Sequence, residues 1–160
     1  MKNALKGRKV SLSQSTMIKV MSPLDANHYG YVHGGAIMRA VDEAAFITGT
    51  RHARRNIVTA AMDNMSFANP VRLGDLLILK ASVNFVGRTS MEVGVRIEAE
   101  DPVTGDNRLI GRAYATMVAL DELGKPTFIA PLILETKADK KRNSDAKRRR
   151  ENRLKLRPKN

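Results

Sequence analysis

The segment from Asn27 to Asp42 reads NHYGYVHGGAIMRAVD, and it combines groups that can attack an activated carbonyl. Gly34 and Gly35 stand where a polar loop enters an apolar helix, so backbone N–H groups at the helix start can polarise a carbonyl oxygen. Asp42 adds a carboxylate among apolar neighbours. The same residues also fit a tight glycine loop and an aspartate that pairs with an arginine or caps a backbone group, and composition alone leaves both interpretations open.

The spacing of Gly35 and Asp42 decides how such a site would be assembled. Seven residues are two helical turns, so both residues share one helix face at a separation of roughly 10 Å along the axis. A carbonyl held by the Gly35 N–H would sit about 3 Å from that nitrogen, out of reach of Asp42 in the same chain. Two such helices packed antiparallel about a twofold axis would bring Gly35 of one subunit to Asp42 of the other. The spacing therefore predicts an obligate dimer with two shared sites.

The elements that must position this segment follow from hydrophobic periodicity. The pattern predicts one buried helix from Gly34 to about His52, apolar over most of its circumference, after a loop at 23–33. Short turns, including a hairpin at 87–89, join the later strands, which favours antiparallel neighbours. We predict an α+β hotdog fold, in which a five-stranded antiparallel sheet wraps around one long central helix, within residues 10–134. The predicted strands are 12–21, 57–67, 76–86, 90–100 and 108–120.

The net charge of +12 is concentrated in the last part of the chain. Residues 137–160 contain 12 Lys or Arg and 3 Asp or Glu, which leaves the body only slightly basic. We expect residues 135–160 to form an exposed basic tail, helical or disordered, with Ser144 as the cap of any helix over 144–157. The tail would serve solubility or loosely anchor RNA, membrane phosphates or another subunit. Nucleic acid is an unlikely partner, because the few aromatic residues form no stacking platform.

Other chemistries lack their sequence signatures. The absence of cysteine excludes disulfides, thiolate metal sites and a cysteine nucleophile. The three histidines have no third ligand at a known spacing, so no metal is expected, and no phosphate loop or dinucleotide fingerprint indicates a cofactor. Without a signal peptide or an apolar stretch of about 20 residues, we expect a cytoplasmic protein with no membrane span.

Several basic positions are candidates for holding the phosphates of an anionic ligand. The strongest is the Arg88-Thr89-Ser90 hairpin, because a tight turn presents N–H groups and hydroxyls together. Arg51 and Arg55, near the end of the predicted helix, are further candidates, although any single arginine can equally be solvated surface.

Three blocks of the sequence resemble the hotdog-fold acyl-CoA thioesterases, most closely the cytosolic acyl-CoA hydrolases. They are DANHYGYVHGGAIMRAVDEA (25–44), AAMDNMSFANPVRLGD (60–75) and GRTSMEV (87–93), and the likeness extends over about residues 12–133. The resemblance implies hydrolysis of acyl-CoA to free CoA and a carboxylic acid, with CoA as part of the substrate rather than a cofactor. It also implies assembly as a dimer at least, commonly as a trimer of dimers.

Carried onto this sequence, the resemblance makes Asn27 and Asp42 essential, from opposite halves of a double-hotdog unit. Asp42 would act as general base or as nucleophile, Asn27 would position water or the carbonyl, and the Gly35 N–H would receive the carbonyl oxygen. His33 stands where related bacterial enzymes often have Phe, so no catalytic role is implied for it. The alternatives are a non-catalytic CoA-binding hotdog protein and a protein that binds RNA or membranes through its basic tail.

Overall fold

A five-stranded antiparallel sheet and a helix that crosses its concave side form the body of the computed structural model, which describes residues 5–156. The strand order is β2-β4-β5-β6-β3, and a short parallel pair, β1 and β7, lies beside the sheet. The prediction of a hotdog fold is confirmed. The elements are β1 (Arg8–Lys9), β2 (Ser15–Val20), α1 (Gly34–Ala53), β3 (Asn56–Met62), β4 (Leu76–Val86), β5 (Ser90–Glu100), β6 (Asn107–Leu120), β7 (Leu132–Ile133) and α2 (Lys137–Lys155).

Small residues allow α1 to pack closely on the sheet. Ala40, Ala44 and Ala45 are almost fully buried against the inward side chains of β4 and β5. Position 49 has room only for glycine, because a Cβ there would lie 2.7 Å from Ile57 Cδ1. The helix ends at Arg54, which adopts a left-handed conformation with φ of 54°.

The prediction that α1 is buried over most of its circumference is wrong for a single chain. Met38 is 49% exposed, Phe46 48% and Ile47 39%. These side chains lie away from the sheet, and nothing else in the described chain covers them. The sequence did not indicate which face of α1 is exposed, because both faces of the helix carry apolar residues.

Strand β3 is shorter than the predicted 57–67. It ends at Met62, with a bulge between Thr59 and Ala61, and residues 63–75 run irregularly beside β6. The backbone there crosses Gly111, where a Cβ would lie 2.6 Å from the Ser66 carbonyl oxygen. Isolated hydrogen bonds from Asp63 N to the Tyr114 carbonyl and from Ala68 N to the Ile110 carbonyl still attach the segment to β6.

Helix α2 packs on the convex face of the sheet and buries Asp139 and Ala146, while most of its other side chains are exposed. It begins at Lys137, capped by Thr136 and Asp139 in a reciprocal capping box, and not at Ser144. Glu92 of β5, only 1% exposed, receives Arg149 at 2.7 Å and Arg153 at 3.2 Å. The helix therefore docks through buried charge rather than through leucines, a contact that hydrophobic periodicity does not detect.

Candidate functional site

Asn27 organises the loop that leads into α1. Its Oδ1 accepts hydrogen bonds from the backbone N–H of Tyr29 at 2.9 Å and of Tyr31 at 3.2 Å. The Nδ2 group has no hydrogen-bond partner among residues 5–156. Its two N–H donors are thus available to a ligand while the carbonyl oxygen fixes the side chain.

Asp25 anchors the start of the same loop. Its carboxylate accepts from the Ser22 backbone N–H at 2.9 Å and from Lys19 Nζ at 3.1 Å, and these bonds hold the pKa of Asp25 below its usual range. The Asp25 carbonyl in turn accepts from the His33 N–H at 2.7 Å. Asn27 therefore lies in a loop that is tied down at both ends.

Gly35 lies in the first turn of α1, but its N–H is not bare. It donates to Nδ1 of His33, the residue that caps the helix, at 2.9 Å. A Cβ at position 35 would lie 3.1 Å from that nitrogen, so the glycine leaves room for the imidazole. The expectation of a free Gly35 N–H is wrong in this conformation, because the helix start satisfies its donor internally.

Asp42 lies half-buried on α1, and its partner is a hydroxyl rather than an arginine. Thr59 of β3 donates from Oγ1 to Asp42 Oδ1 at 2.7 Å. Asp42 Oδ2 has no hydrogen-bond partner in the described part of the chain. The carboxylate is thus oriented by one oxygen and open at the other, an arrangement suited to accepting a proton or attacking a carbonyl.

Sequence reasoning missed Thr59. The only available signal was a threonine in a strand predicted to follow the helix, and such a signal does not select one residue. The contact arises from the packing of β3 against α1, which brings together positions 17 residues apart.

Asp42 lies in the centre of an exposed apolar stripe. Met38 and Phe46 precede and follow it by four residues, which places all three on one helix face. Strand β3 is an outer strand of the sheet, and Val58 on it is 46% exposed. An uncovered apolar helix face beside an unpaired strand edge is typical of a subunit interface.

The Arg88-Thr89-Ser90 hairpin lies at the same end of the sheet as the Asp42–Thr59 pair. Ser90 is in register with Val118, and Val118 with Val58, the neighbour of Thr59. Two strand spacings, roughly 10 Å, separate these positions. Arg88 is exposed and lies over the Phe128 ring at 5.9 Å.

The two helix-end arginines differ in their surroundings. Arg51 donates to the carbonyl oxygens of Gln14 at 2.9 Å and Leu12 at 3.4 Å, which ties α1 to the start of β2. Arg55 is exposed just before β3, at the same end of the sheet as the hairpin, and makes no ion pair within residues 5–156. The structure therefore groups Arg55 with the hairpin and gives Arg51 a structural contact.

No group of three His, Asp or Glu side chains in the described residues is arranged to hold a metal ion. Neither α1 nor α2 combines the length and apolarity needed to cross a membrane.

The sequence of the chain is similar to sequences of known proteins. The family model of the thioesterase superfamily matches residues 29–105. The cytosolic acyl coenzyme A thioester hydrolase of Rattus norvegicus is 38% identical over 143 residues, which cover 88% of this chain and 37% of that protein. The chain thus spans little more than a third of that curated relative.

Solved structures cover the chain more fully. An apo-hexameric acyl-CoA thioesterase has a TM-score of 0.91 at 36% identity, covering 96% of this chain and 100% of the other. The acyl-CoA hydrolase of Staphylococcus aureus, in complex with butyryl-CoA and CoA, has a TM-score of 0.86 at 35% identity, covering 92% and 90%. The chain therefore belongs to the thioesterase superfamily, and within it to the hotdog-fold acyl-CoA thioester hydrolases.

Proposed function

We propose that this protein hydrolyses acyl-CoA to free CoA and a carboxylic acid, at two active sites shared across a dimer. The observation that carries the proposal is Asp42, oriented by Thr59 within an exposed stripe, two helical turns from Gly35. The Staphylococcus aureus enzyme has been studied as alanine variants of an asparagine, an aspartate and a threonine separated by 15 and 17 residues. Asn27, Asp42 and Thr59 have the same two separations, which supports their assignment as one site.

In the proposed reaction, the thioester carbonyl docks at the α1 start of one subunit, near Asn27 and Gly35. The partner subunit's Asp42 takes a proton from water as the water oxygen bonds to the carbonyl carbon. In the alternative route its carboxylate attacks that carbon first, and water hydrolyses the mixed anhydride that remains after the thiolate has left. In both routes the C–S bond breaks and the thiolate leaves, so no strong general acid is required. For Gly35 to donate to the substrate oxygen, the His33 ring must rotate away from its 2.9 Å contact.

The remaining roles follow from position and chemistry. The CoA phosphates would be held by the hairpin residues Arg88, Thr89 and Ser90 together with Arg55. Arg51 could bind a phosphate only if it released the carbonyl oxygens of Gln14 and Leu12. The residues of the proposed site contain no metal-binding or cofactor-binding motif, so we propose that the reaction requires neither a metal ion nor a cofactor. The hexameric relative and the cytosolic name of the curated relatives support a trimer of dimers in the cytoplasm.

Mixing two inactive variants tests the shared site directly. Asn27→Ala and Asp42→Asn should each abolish turnover in the pure protein. Co-refolded in equal amounts, half of the dimers contain one chain of each kind, and one of their two sites has both groups intact. The mixture should therefore recover about a quarter of the unmutated turnover. If each chain used its own Asn27 and Asp42, the mixture would stay inactive.

The tail-binding alternative makes a different prediction. Lys140 and Lys147 are exposed on α2, and changing both to Gln removes charge without touching the Glu92 contact. A hydrolase should keep its turnover after this change, whereas a protein that binds RNA or membranes through the tail should lose affinity. A non-catalytic CoA-binding protein would release no thiol from acyl-CoA in either form.

A further inference from the structure

Phe67 is a large apolar side chain that is 39% exposed beside the start of α1. It belongs to the irregular segment 63–75, and no step of the proposed reaction uses it. A Cβ at Gly34 would lie 3.5 Å from Cε2 of the Phe67 ring, so the ring rests on the first residue of the helix. The next residue, Gly35, is where the thioester carbonyl would dock. The ring is therefore a neighbour of the reacting group.

Gly34 also begins the exposed stripe on α1. Met38, Asp42 and Phe46 follow it at intervals of four residues, so these positions form one ridge along the helix. Because Gly34 has no side chain, the ring of Phe67 covers this end of the ridge. An apolar surface thus borders the helix start on the side that the partner subunit would enclose.

The backbone that carries Phe67 is fixed on both sides. On one side, the Ala68 N–H donates to the Ile110 carbonyl oxygen of β6 at 2.8 Å. On the other side, the Val32 N–H, in the loop before α1, donates to the Val71 carbonyl oxygen at 3.0 Å. A side chain on a backbone held in this way can discriminate between substrates by their size and shape.

The position of the 88–90 hairpin gives the direction of the substrate. The hairpin lies at the same end of the sheet as Asp42 and Thr59 of its own chain. In the proposed dimer it therefore belongs to the subunit that supplies Asp42, and CoA extends toward that subunit. The acyl chain leaves the carbonyl on the other side, toward the subunit that supplies Gly35, where the ring of Phe67 is exposed.

We propose that the acyl chain packs against Phe67, and that this ring sets the preference for longer acyl chains over the acetyl group. This role rests on the proposed hydrolysis at a shared site, to which it adds a specificity-determining residue. Each methylene group buried against an apolar surface improves binding about fourfold. A chain that reaches the ring gains this advantage, whereas an acetyl group ends one carbon beyond the carbonyl and gains little.

Chain-length selectivity tests the proposal. We expect the ratio of kcat/KM for hexanoyl-CoA to that for acetyl-CoA to fall about tenfold in Phe67→Ala, the value of about two methylene contacts. This ratio does not depend on how much of the variant is folded. Phe67→Leu keeps an apolar side chain and should lose less. Leu123→Ala truncates an 80% exposed side chain in the turn after β6 and is the control, which should keep the unmutated ratio.

A binding measurement separates this role of Phe67 from hydrolysis. S-ethyl-CoA and S-hexyl-CoA are thioethers that cannot be hydrolysed, and calorimetry gives the ratio of their affinities. If the unmutated protein releases no thiol from acyl-CoA but S-hexyl-CoA loses its advantage in Phe67→Ala, the acyl contact stands and the proposed hydrolysis fails.

The reverse outcome overturns the acyl contact alone. It is reached if the thioesters are hydrolysed and both ratios stay unchanged or rise in Phe67→Ala, or if Leu123→Ala lowers them equally. If the unmutated protein shows neither hydrolysis nor an affinity that depends on alkyl length, both proposals fail.

Discussion

The Thr59 hydroxyl donates to Asp42 Oδ1 at 2.7 Å, and this bond joins the outer strand of the sheet to the central helix. The same hydroxyl lies 3.4 Å from the Sδ atom of Met117, which packs beneath it. A hydrogen bond to a charged group contributes more than one between neutral groups. Thr59 thus orients the carboxylate from a rigid element of the fold, as a precise site requires.

Thr59→Val should lower kcat for acyl-CoA hydrolysis while the protein stays folded. Valine keeps the shape of threonine but cannot donate, so Asp42 loses its orientation. A hydrogen bond to a charged group contributes about 1.5–3 kcal/mol, which corresponds to a fall in kcat of about tenfold to a hundredfold. Steady-state thiol release measures this. Thr59→Ser keeps the donor and should retain most activity; equal losses in both variants would show that the hydroxyl is not the active feature.

Met38→Glu should separate the subunits and abolish turnover together. If Gly35 of one chain faces Asp42 of the other, the twofold axis passes near Met38, midway between them. Two carboxylates would then meet in an apolar contact. Sedimentation velocity and thiol release should report both losses, whereas Met38→Leu preserves both. Leu123→Glu, in the turn after β6 and 80% exposed, is the control for adding a charge elsewhere. A fully active Met38→Glu dimer would contradict the shared site.

His33→Ala should change activity and stability in opposite directions. The His33 ring competes with substrate for the Gly35 N–H, and its removal frees that donor, raising kcat/KM by up to about fivefold, the value of one net hydrogen bond. It also removes the side-chain cap of α1, which costs about 1 kcal/mol of unfolding free energy. Chemical denaturation and initial rates measure the two effects. A fall in both quantities would mean that His33 supports the site rather than covering it.

Periodicity and residue type predicted the strand-helix-strand order, because those signals are local. Residue type and spacing also singled out Gly35 and Asp42, and the family resemblance added Asn27; their assignment to one site stays a prediction. The bounds of α1 follow from the Gly34-Gly35 pair and the apolar run behind it. Thr59 and the His33–Gly35 bond were missed, since each depends on which side chains meet after folding. The start of α2 was missed because two capping sequences compete, Thr136 with Asp139 and Ser144 with Asp145. The longer helix forms because Thr136 and Asp139 make a reciprocal capping box, whereas Asp145 pairs with Lys141 and Arg148 inside the helix.

Glu92→Gln should loosen α2 without unfolding the sheet. The substitution leaves Arg149 and Arg153 beside a neutral amide. Breaking a fully buried pair costs about 3–5 kcal/mol, but these arginine side chains are 23% and 26% exposed, so we expect about 1–3 kcal/mol. Hydrogen exchange should rise in residues 137–155 and remain low in β5. Unchanged protection of α2 would show that its docking does not depend on this charge.

Acidification should destabilise the protein through His52. The ring is 1% exposed, Nε2 lies 3.0 Å from the Ala130 carbonyl oxygen, and Nδ1 is buried without a hydrogen-bond partner. Burial lowers the pKa of His52 below its ordinary value of 6.5. Below pH 6.5 the unfolded chain therefore binds a proton that the folded protein excludes.

The free energy of unfolding should accordingly be unaffected by His52 above pH 6.5 and decrease as the pH falls below that value toward the lowered pKa. At pH 5.5 the loss can reach about 1.4 kcal/mol. His52→Gln keeps a donor for Ala130 but does not titrate, so its unfolding free energy should fall less between pH 7.5 and 5.5. The rest of the chain is identical in the two proteins, so its pH dependence cancels in the difference. Equal pH dependence of the two proteins in urea denaturation would show that His52 is protonated in the folded state.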